Sequence, residues 1–226
     1  MESNILSKKK AFVIGGTSSI GLEIAAKLKE QGALVTVAGR HKPTEEKKYD
    51  CFVSFDFDRE KFNIFDRDEF TQNLLDCDIL INCYGPFLYK KLHETSVEDW
   101  IYISNADYAF AGSCLSFTLR GMMKRKWGRI ILFGGTRTDS VKGYRNNACY
   151  AGAKTGIAVL VKSVSLEYGE MGICCNGIFP GFTRNAPKNT LLIAESKIAD
   201  NVINILKQDE LNGLLFTMDR GWNPVL

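Results

Sequence analysis

The sequence lacks the features of membrane proteins and of proteins built from linked domains. No stretch approaches the roughly 18 consecutive apolar residues that a membrane-spanning helix requires, and the first ten residues hold no apolar segment with a cleavage site. Only five prolines occur in 226 residues, and no proline-, glycine- or serine-rich linker and no internal repeat divides the chain. We therefore expect residues 1–226 to form a single cytoplasmic domain without membrane contact.

The sequence also lacks a large excess of positive or negative charge, and it lacks metal-binding cysteine motifs. The formal net charge is +3 and the basic residues are scattered, so we expect no nucleic-acid partner. The seven cysteines are odd in number, lie mostly in apolar runs and form no C-x-x-C pair. Reduced, buried thiols of a cytoplasmic protein account for this pattern, and we expect no metal site.

What the sequence does contain is an alternation of two hydrophobic periods. Apolar, β-rich runs of strand length lie at residues 11–15, 33–38, 51–55, 79–82, 129–134, 173–178 and 214–218. Segments with helical periodicity lie between them, at residues 20–31, 66–75, 97–125, 148–170 and 191–207. This alternation predicts an α/β protein with one Rossmann-fold domain, a doubly wound parallel sheet of about seven strands with helices on both faces.

A glycine-rich turn joins the first predicted strand to the first predicted helix. Its residues are Gly15, Gly16, Thr17, Ser18, Ser19, Ile20 and Gly21. Glycine lets the backbone turn tightly and approach a pyrophosphate, while the free amides at the start of a helix attract its negative charge. The position directly after the first strand favours a dinucleotide-binding turn over an ordinary strand-to-helix connection.

The residues after the second and third strands bear on the choice of cofactor. Arg40 follows the second strand, where folds that prefer NAD place an acidic residue. Because a guanidinium can pair with a 2′-phosphate, Arg40 predicts NADP(H) in preference to NAD(H), with Lys42 as a candidate second contact. The alternative for Arg40 is a solvated loop position. Asp56 is a candidate either for accepting from the adenine amino group or for capping a turn.

Four further motifs follow in order. They are residues 82–85, the pair Tyr150 and Lys154, residues 176–183 around Pro180 and Gly181, and residues 219–222. Together with residues 14–21 they resemble the short-chain dehydrogenase/reductase family, in its bacterial 3-oxoacyl-carrier-protein-reductase-like branch, over nearly the whole chain. The departures from the family motifs are Ile14, Ser19, Cys83 and Tyr84.

The resemblance implies a nicotinamide cofactor and a tyrosine that acts as acid and base. It implies cofactor contacts for Asn82, Gly85, Tyr150, Lys154, Pro180, Gly181 and Thr183. Residues four apart share one helix face, so Lys154 can stand beside Tyr150. An ammonium there, with an oxidised nicotinamide, is expected to lower the pKa of Tyr150 from its ordinary value of about 10. Tyr150 can then pass a proton to a carbonyl oxygen while the nicotinamide delivers hydride.

The serine that orients the carbonyl in this family has no direct counterpart. Counting along the fifth strand puts Gly135 at its position, with Thr136 next to it. A threonine hydroxyl offers the same donor and acceptor, so Thr136 is our candidate replacement. Thr138 and Ser140 remain further candidates, because the loop before Tyr150 is about two residues longer than is usual in the family.

The family's catalytic asparagine is replaced as well. Counting from Trp100 puts Asp107 at that position. An aspartate can accept a hydrogen bond from the water that asparagine normally supports, but it adds a charge near Lys154. The alternative for Asp107 is a helical position that faces solvent.

These residues predict an NADP(H)-dependent oxidoreductase that interconverts a carbonyl and an alcohol, with Tyr150, Lys154, Thr136 and Asp107 as its catalytic set. The alternative is an NADP-binding sensor or assembly protein with impaired catalysis, which the two replacements favour. The short segment after Thr183 suggests an open cleft for a large or carrier-bound carbonyl substrate, or a cleft without chemistry. The resemblance implies a homodimer or homotetramer, and a purely structural oligomer subunit is a third reading.

Overall fold

The computed structural model describes residues 4–17, 19–183 and 191–221. The strands of this part are β1 (Lys10–Ile14), β2 (Leu34–Gly39), β3 (Cys51–Ser54), β4 (Ile79–Asn82), β5 (Gly128–Phe133), β6 (Ile173–Pro180) and β7 (Leu215–Met218). They form one parallel sheet in the order β3-β2-β1-β4-β5-β6-β7. Each strand lies on an apolar run predicted from the sequence, so the predicted parallel sheet is confirmed.

Helices connect successive strands in the described residues. The α-helices are α1 (Ser19–Glu30), α2 (Phe57–Glu60), α3 (Asp68–Asp76), α4 (Val97–Ile103), α5 (Phe110–Arg125), α6 (Ala148–Tyr168) and α7 (Glu195–Leu206). A π-helical turn, Ser104–Ala109, joins α4 to α5. Short 3-10 helices lie at Glu46–Lys48, Lys61–Asp66, Leu92–Glu94 and Gly169–Met171.

Both faces of the sheet are covered by helices, as the nearly continuous apolar strands predict. Successive side chains of a strand point to opposite faces. In β1, Phe12 packs into a cluster with residues of α3, α5 and α6. Its neighbour Val13 packs on the other face with residues of α1 and α7. The sheet is therefore doubly wound.

Two predicted helices differ from the observed ones. The helix predicted over residues 97–125 contains the π-helical turn, which a hydrophobic period cannot reveal because the backbone stays helical on both sides of it. The helix predicted over residues 191–207 begins only at Glu195. The reason is that the Ile193 amide donates to the Phe182 carbonyl at 2.9 Å and not to a helical carbonyl, so residues 191–194 lie outside the helix.

The strand order reverses between β1 and β4. After β1 the chain builds β2 and β3 on one side, and then crosses back to place β4 on the other side of β1. In open α/β sheets, ligands bind in the crevice at such a reversal, outside the carboxyl ends of the strands. The glycine-rich turn after β1 and the segment after Asn82 of β4 both lie at this edge.

Candidate active site

The glycine-rich turn is packed so closely that two of its glycines are required. Gly15 has a φ of +76°, and a Cβ built on it would lie 3.0 Å from the Tyr84 amide nitrogen. A Cβ on Gly21 would overlap the carbonyl group of Gly15. The start of α1 therefore folds back onto the end of β1, in the close approach that is typical of a pyrophosphate-binding turn, so the turn fits the cofactor that the motif implies. Ser18 lies outside the described residues.

Ser19 stands where the family has a glycine, and its backbone explains that preference. Its φ of +55° is in the left-handed region, which is costly for a residue with a Cβ. The Ser19 hydroxyl donates to Oε1 of Glu195 at 2.5 Å, from the first turn of α7. No pattern in the sequence connects these two residues, because 176 positions separate them.

The residues expected at the adenosine end lie after β2 and β3. Arg40 is exposed directly after β2, and Lys42 forms an ion pair with Glu46 at 2.7 Å. Asp56 accepts a hydrogen bond from the Asp58 amide at 3.1 Å and is the N-cap of α2. Of the two roles left open for Asp56, the structure shows the cap, and the adenine contact stays a prediction.

Asp107 and Lys154 form a buried pair beneath the segment after β4. The side chains are 0% and 5% exposed, and Lys154 Nζ lies 3.0 Å from Asp107 Oδ1. Lys154 also donates to the Phe133 carbonyl at 3.3 Å. A Cβ on Gly85 would collide with both members of the pair, so the glycine at this position of the family motif is required by close packing. The solvent-facing alternative for Asp107 is wrong.

The charge of Asp107 is only partly satisfied. Within the described part of the chain, Asp107 Oδ2 has no hydrogen-bond donor. Burial raises the pKa of Asp107 above its ordinary value, and Lys154 opposes this shift. The π-helical turn carries Asp107 into the interior, against α6.

Tyr150 lies one turn before Lys154 on α6, as the spacing predicts. In the protein alone, the pKa of Tyr150 is shifted upwards and not downwards. Burial raises this pKa, and the charge of Asp107 raises it further. Burial is the larger cause, and the Lys154 ammonium, whose charge would oppose it, is paired with Asp107. The lowering expected from Lys154 together with an oxidised nicotinamide stays a prediction.

No side chain fills the family's serine position. A Cβ built on Gly135 would lie 2.9 Å from the Tyr150 hydroxyl oxygen, so Gly135 is the residue at that position. Thr136 donates its hydroxyl hydrogen bond to the Pro180 carbonyl at 3.0 Å. Thr138 accepts from the Gly135 amide at 2.9 Å and donates to its carbonyl at 3.1 Å. Ser140 is exposed.

The other predicted cofactor residues lie at the ends of β4 and β6. Asn82 is buried, and its Oδ1 accepts from the Tyr84 amide at 3.1 Å. Pro180 ends β6, and the Gly181 amide donates to the Met218 carbonyl at 2.8 Å. Thr183 is half-buried at the end of the described range that follows. The structure thus brings these residues to the same edge of the sheet as the glycine-rich turn.

Sequence reasoning missed an aromatic contact on Tyr150. The Phe87 ring packs edge-on against the Tyr150 ring, with centroids 4.8 Å apart and planes at 74°. Phe87 is 63% exposed, so it forms an open wall of the cleft beside the phenol. Its position three residues after Asn-Cys-Tyr is the only signal in the sequence that could have indicated it.

Two kinds of feature are absent from the described residues, namely a membrane span and a metal-binding cluster. No helix in the part of the chain that the structure describes has the length and apolar character needed to cross a bilayer. Within the same ranges, no group of three or more histidine, cysteine, aspartate or glutamate side chains is arranged to hold a metal ion.

Comparison with known families identifies the class of protein. A family model described as short chain dehydrogenase matches residues 9–192. The chain therefore belongs to the short-chain dehydrogenase family, and the resemblance of its motifs is confirmed. It is an oxidoreductase of a family that binds a nicotinamide cofactor.

Two relatives match most of the chain. The 3-oxoacyl-acyl-carrier-protein reductase FabG of Haemophilus influenzae is 28% identical over 224 residues, which are 94% of this chain and 84% of that protein. The reductase of the same name from Buchnera aphidicola is 31% identical over 195 residues, 81% of this chain and 78% of that protein. The likeness to this branch of the family is confirmed.

A solved structure shows the same fold. A protein from Agrobacterium tumefaciens, provisionally assigned as a 2-deoxy-d-gluconate 3-dehydrogenase and holding bound NADP, matches with a TM-score of 0.85. It is 22% identical, and the match covers 98% of this chain and 99% of that chain. At this level of identity, the likeness concerns the fold alone.

Proposed function

We propose that this protein is an NADP(H)-dependent oxidoreductase that interconverts a carbonyl and an alcohol, with Tyr150 as the acid and base. The observation that carries the proposal is the placement of Tyr150 on α6 beside the buried Asp107–Lys154 pair, at the sheet edge that also holds the glycine-rich turn. A buried titratable group at such a crevice is the usual mark of an active site.

The residues of the cleft divide into those that hold the cofactor and those that handle the proton. Residues 15–21 would bind its pyrophosphate, Arg40 its 2′-phosphate, and Lys154 its nicotinamide ribose. The bound nicotinamide supplies or accepts a hydride. During reduction, Tyr150 donates its phenolic proton to the carbonyl oxygen, and a raised pKa keeps it protonated for this step at neutral pH.

Asp107 and Lys154 position each other under the cofactor. Their ion pair fixes the Lys154 ammonium at 3.0 Å from Oδ1, where it can donate to a ribose hydroxyl with its remaining hydrogens. Thr136 is held by the Pro180 carbonyl, so we assign it a supporting role at the nicotinamide end of the cleft. With Gly135 at the serine position, the carbonyl is oriented chiefly by Tyr150.

We propose a small or carrier-bound carbonyl substrate. Two supports are the names of the relatives, which act on 3-oxoacyl groups carried by a protein, and the short connection from Thr183 to α7. We also propose that residues 1–226 act as a single domain, in the cytoplasm, as a homodimer or homotetramer. The free state of all seven cysteines supports the location.

A second function has specific support from the serine position. Gly135 carries no hydroxyl, and the hydroxyls of Thr136 and Thr138 are both engaged with backbone groups. A protein that binds NADP(H) as a sensor or assembly factor would keep the glycine-rich turn and could lose this group. It would bind NADPH tightly and would not oxidise it.

The test combines cofactor binding with turnover. Purified protein is titrated with NADPH and NADH by fluorescence and is then given ketones, aldehydes and β-ketoacyl thioesters. Tighter binding of NADPH, with loss of the reduced cofactor that depends on the carbonyl, supports the oxidoreductase. Tight binding without any oxidation supports the sensor, and absence of binding contradicts both.

A further inference from the structure

The N-terminus of α1 already has an acidic partner in this protein. The first turn of α1 contains no acidic residue of its own. Glu195 supplies a carboxylate from α7, and its Oε1 accepts from the Ser19 hydroxyl at 2.5 Å. Both residues are half-buried, so the contact is only partly exposed to solvent. A carboxylate therefore lies at the helix end where the cofactor's pyrophosphate is expected.

Ser19 gives the carboxylate a hydrogen bond at this helix end. Its φ of +55° belongs to the region that glycine adopts without cost, and glycine is the family's residue at this position. A glycine would have no hydroxyl to offer Glu195. Serine in place of glycine therefore costs backbone strain at position 19, and it adds one hydrogen bond to Glu195 on α7.

We propose that Glu195 competes with the cofactor's pyrophosphate for the N-terminus of α1 and thereby lowers the affinity for the whole dinucleotide. The carboxylate takes the favourable place at the helix end when no cofactor is bound, and it repels the two phosphate charges when one enters. This inference rests on the proposed cofactor site and goes beyond it, because it assigns Glu195 an affinity-setting role. The pyrophosphate is common to both dinucleotides, so Glu195 affects NADPH and NADH equally.

The test is a fluorescence titration of the protein with each reduced dinucleotide. Glu195→Gln removes the charge but keeps an oxygen that can accept from Ser19. The expected result is tighter binding of NADPH and of NADH by the same factor, about five- to tenfold, since a carboxylate interacts with a helix end and a neighbouring anion at this scale. Ser19→Gly, which removes this hydrogen bond to the carboxylate, should act in the same direction.

The matched control is Asp200→Asn. Asp200 also lies on α7 and contacts α1, through an ion pair with Lys27 at 3.1 Å, but near the opposite end of α1. The eight residues from Ser19 to Lys27 span about 12 Å of helix, beyond the screening length of physiological salt. Asp200→Asn is therefore expected to leave both dissociation constants within about twofold of their starting values.

Three results would overturn the proposal. They are unchanged binding in Glu195→Gln, weaker binding in it, or a gain for NADPH alone. If the carbonyl-dependent turnover persists in these cases, only the role of Glu195 fails. If neither the starting protein nor Glu195→Gln binds a dinucleotide, the proposed oxidoreductase function fails with it.

Discussion

At the scale of single residues, the buried pair of Asp107 and Lys154 decides the charge around Tyr150. Asp107→Asn restores the family's residue, removes one cause of the raised pKa of Tyr150 and leaves the Lys154 ammonium unbalanced. The pKa of Tyr150 should then fall, although burial still raises it. Because alcohol oxidation needs the phenolate as base, its activity should extend to lower pH.

The pH dependence of kcat/KM for alcohol oxidation checks this prediction. Glu98→Gln is the control, since it removes an exposed carboxylate from the first turn of α4 without touching the pair. It should leave the pH profile where it is. A profile of Asp107→Asn that moves to higher pH, or stays in place, would show that Asp107 does not act on Tyr150 through its charge.

Arg40 carries the prediction of cofactor preference. If its guanidinium binds the 2′-phosphate, Arg40→Gln should weaken NADPH binding by about tenfold or more, the value of a lost charge-assisted hydrogen bond, and should leave NADH unaffected. Lys47→Gln, an exposed lysine of the same loop, is the control. Equal losses for both dinucleotides in a binding titration would place Arg40 outside the phosphate contact.

The positions of some of these residues in the site can be predicted from the sequence, and those of others cannot, for physical reasons. Counting within one segment places Asp107, Tyr150 and Gly135 correctly, because short runs of helix and strand have a fixed rise for each residue. The Ser19–Glu195 contact depends on how α7 approaches α1, which no local pattern records. The raised pKa of Tyr150 in the protein alone comes first from burial and then from the charge of Asp107, and both depend on tertiary packing that no local pattern records.

At the scale of elements, α5 packs against α3 through a glycine. A Cβ on Gly121 would overlap the carbonyl oxygen of Leu75, at the end of α3. Gly121→Ala should therefore lower the free energy of unfolding by about 1–3 kcal/mol, as overpacking of a tight contact does. Gly112→Ala, on the same helix with no atom within 4 Å of the added carbon, should raise it by about 0.5–1 kcal/mol.

Urea unfolding of the two variants measures both effects on one helix. A loss of stability in both would mean that the backbone of α5, and not the contact with α3, governs the response.

The strands were easier to predict than the helix ends, because a run such as residues 79–82 is buried as a whole. The late start of α7 follows from a tertiary contact instead, and the π-helical turn leaves the helical period of the sequence unbroken.

At the scale of the whole molecule, an exposed apolar surface remains on α4 and α6. Val97 and Ile101 of α4 are 68% and 57% exposed, and Val159 and Leu166 of α6 are 58% and 86% exposed. Val159 and Leu166 are seven apart and share one helix face. Light scattering should therefore give two or four times the 25.3 kDa of one chain.

Charge placed on this surface should reduce the measured mass. Leu166→Lys is the variant, and Leu34→Lys, on an exposed apolar residue at the start of β2, is the control. A monomer mass for the unchanged protein at micromolar concentration would contradict the oligomer. The parallel sheet could be predicted from the strand and helix alternation, whereas the strand order and the exposed fractions required the structure.

The proposed function depends above all on Tyr150, which we propose moves the proton during carbonyl reduction. The decisive measurement is the initial rate of NADPH loss with the best carbonyl of the panel, for the unchanged protein and for Tyr150→Phe at saturating cofactor. We expect the variant to bind NADPH as before and to lose at least about a hundredfold in rate, the contribution of a positioned proton donor. An unchanged rate in Tyr150→Phe would contradict it.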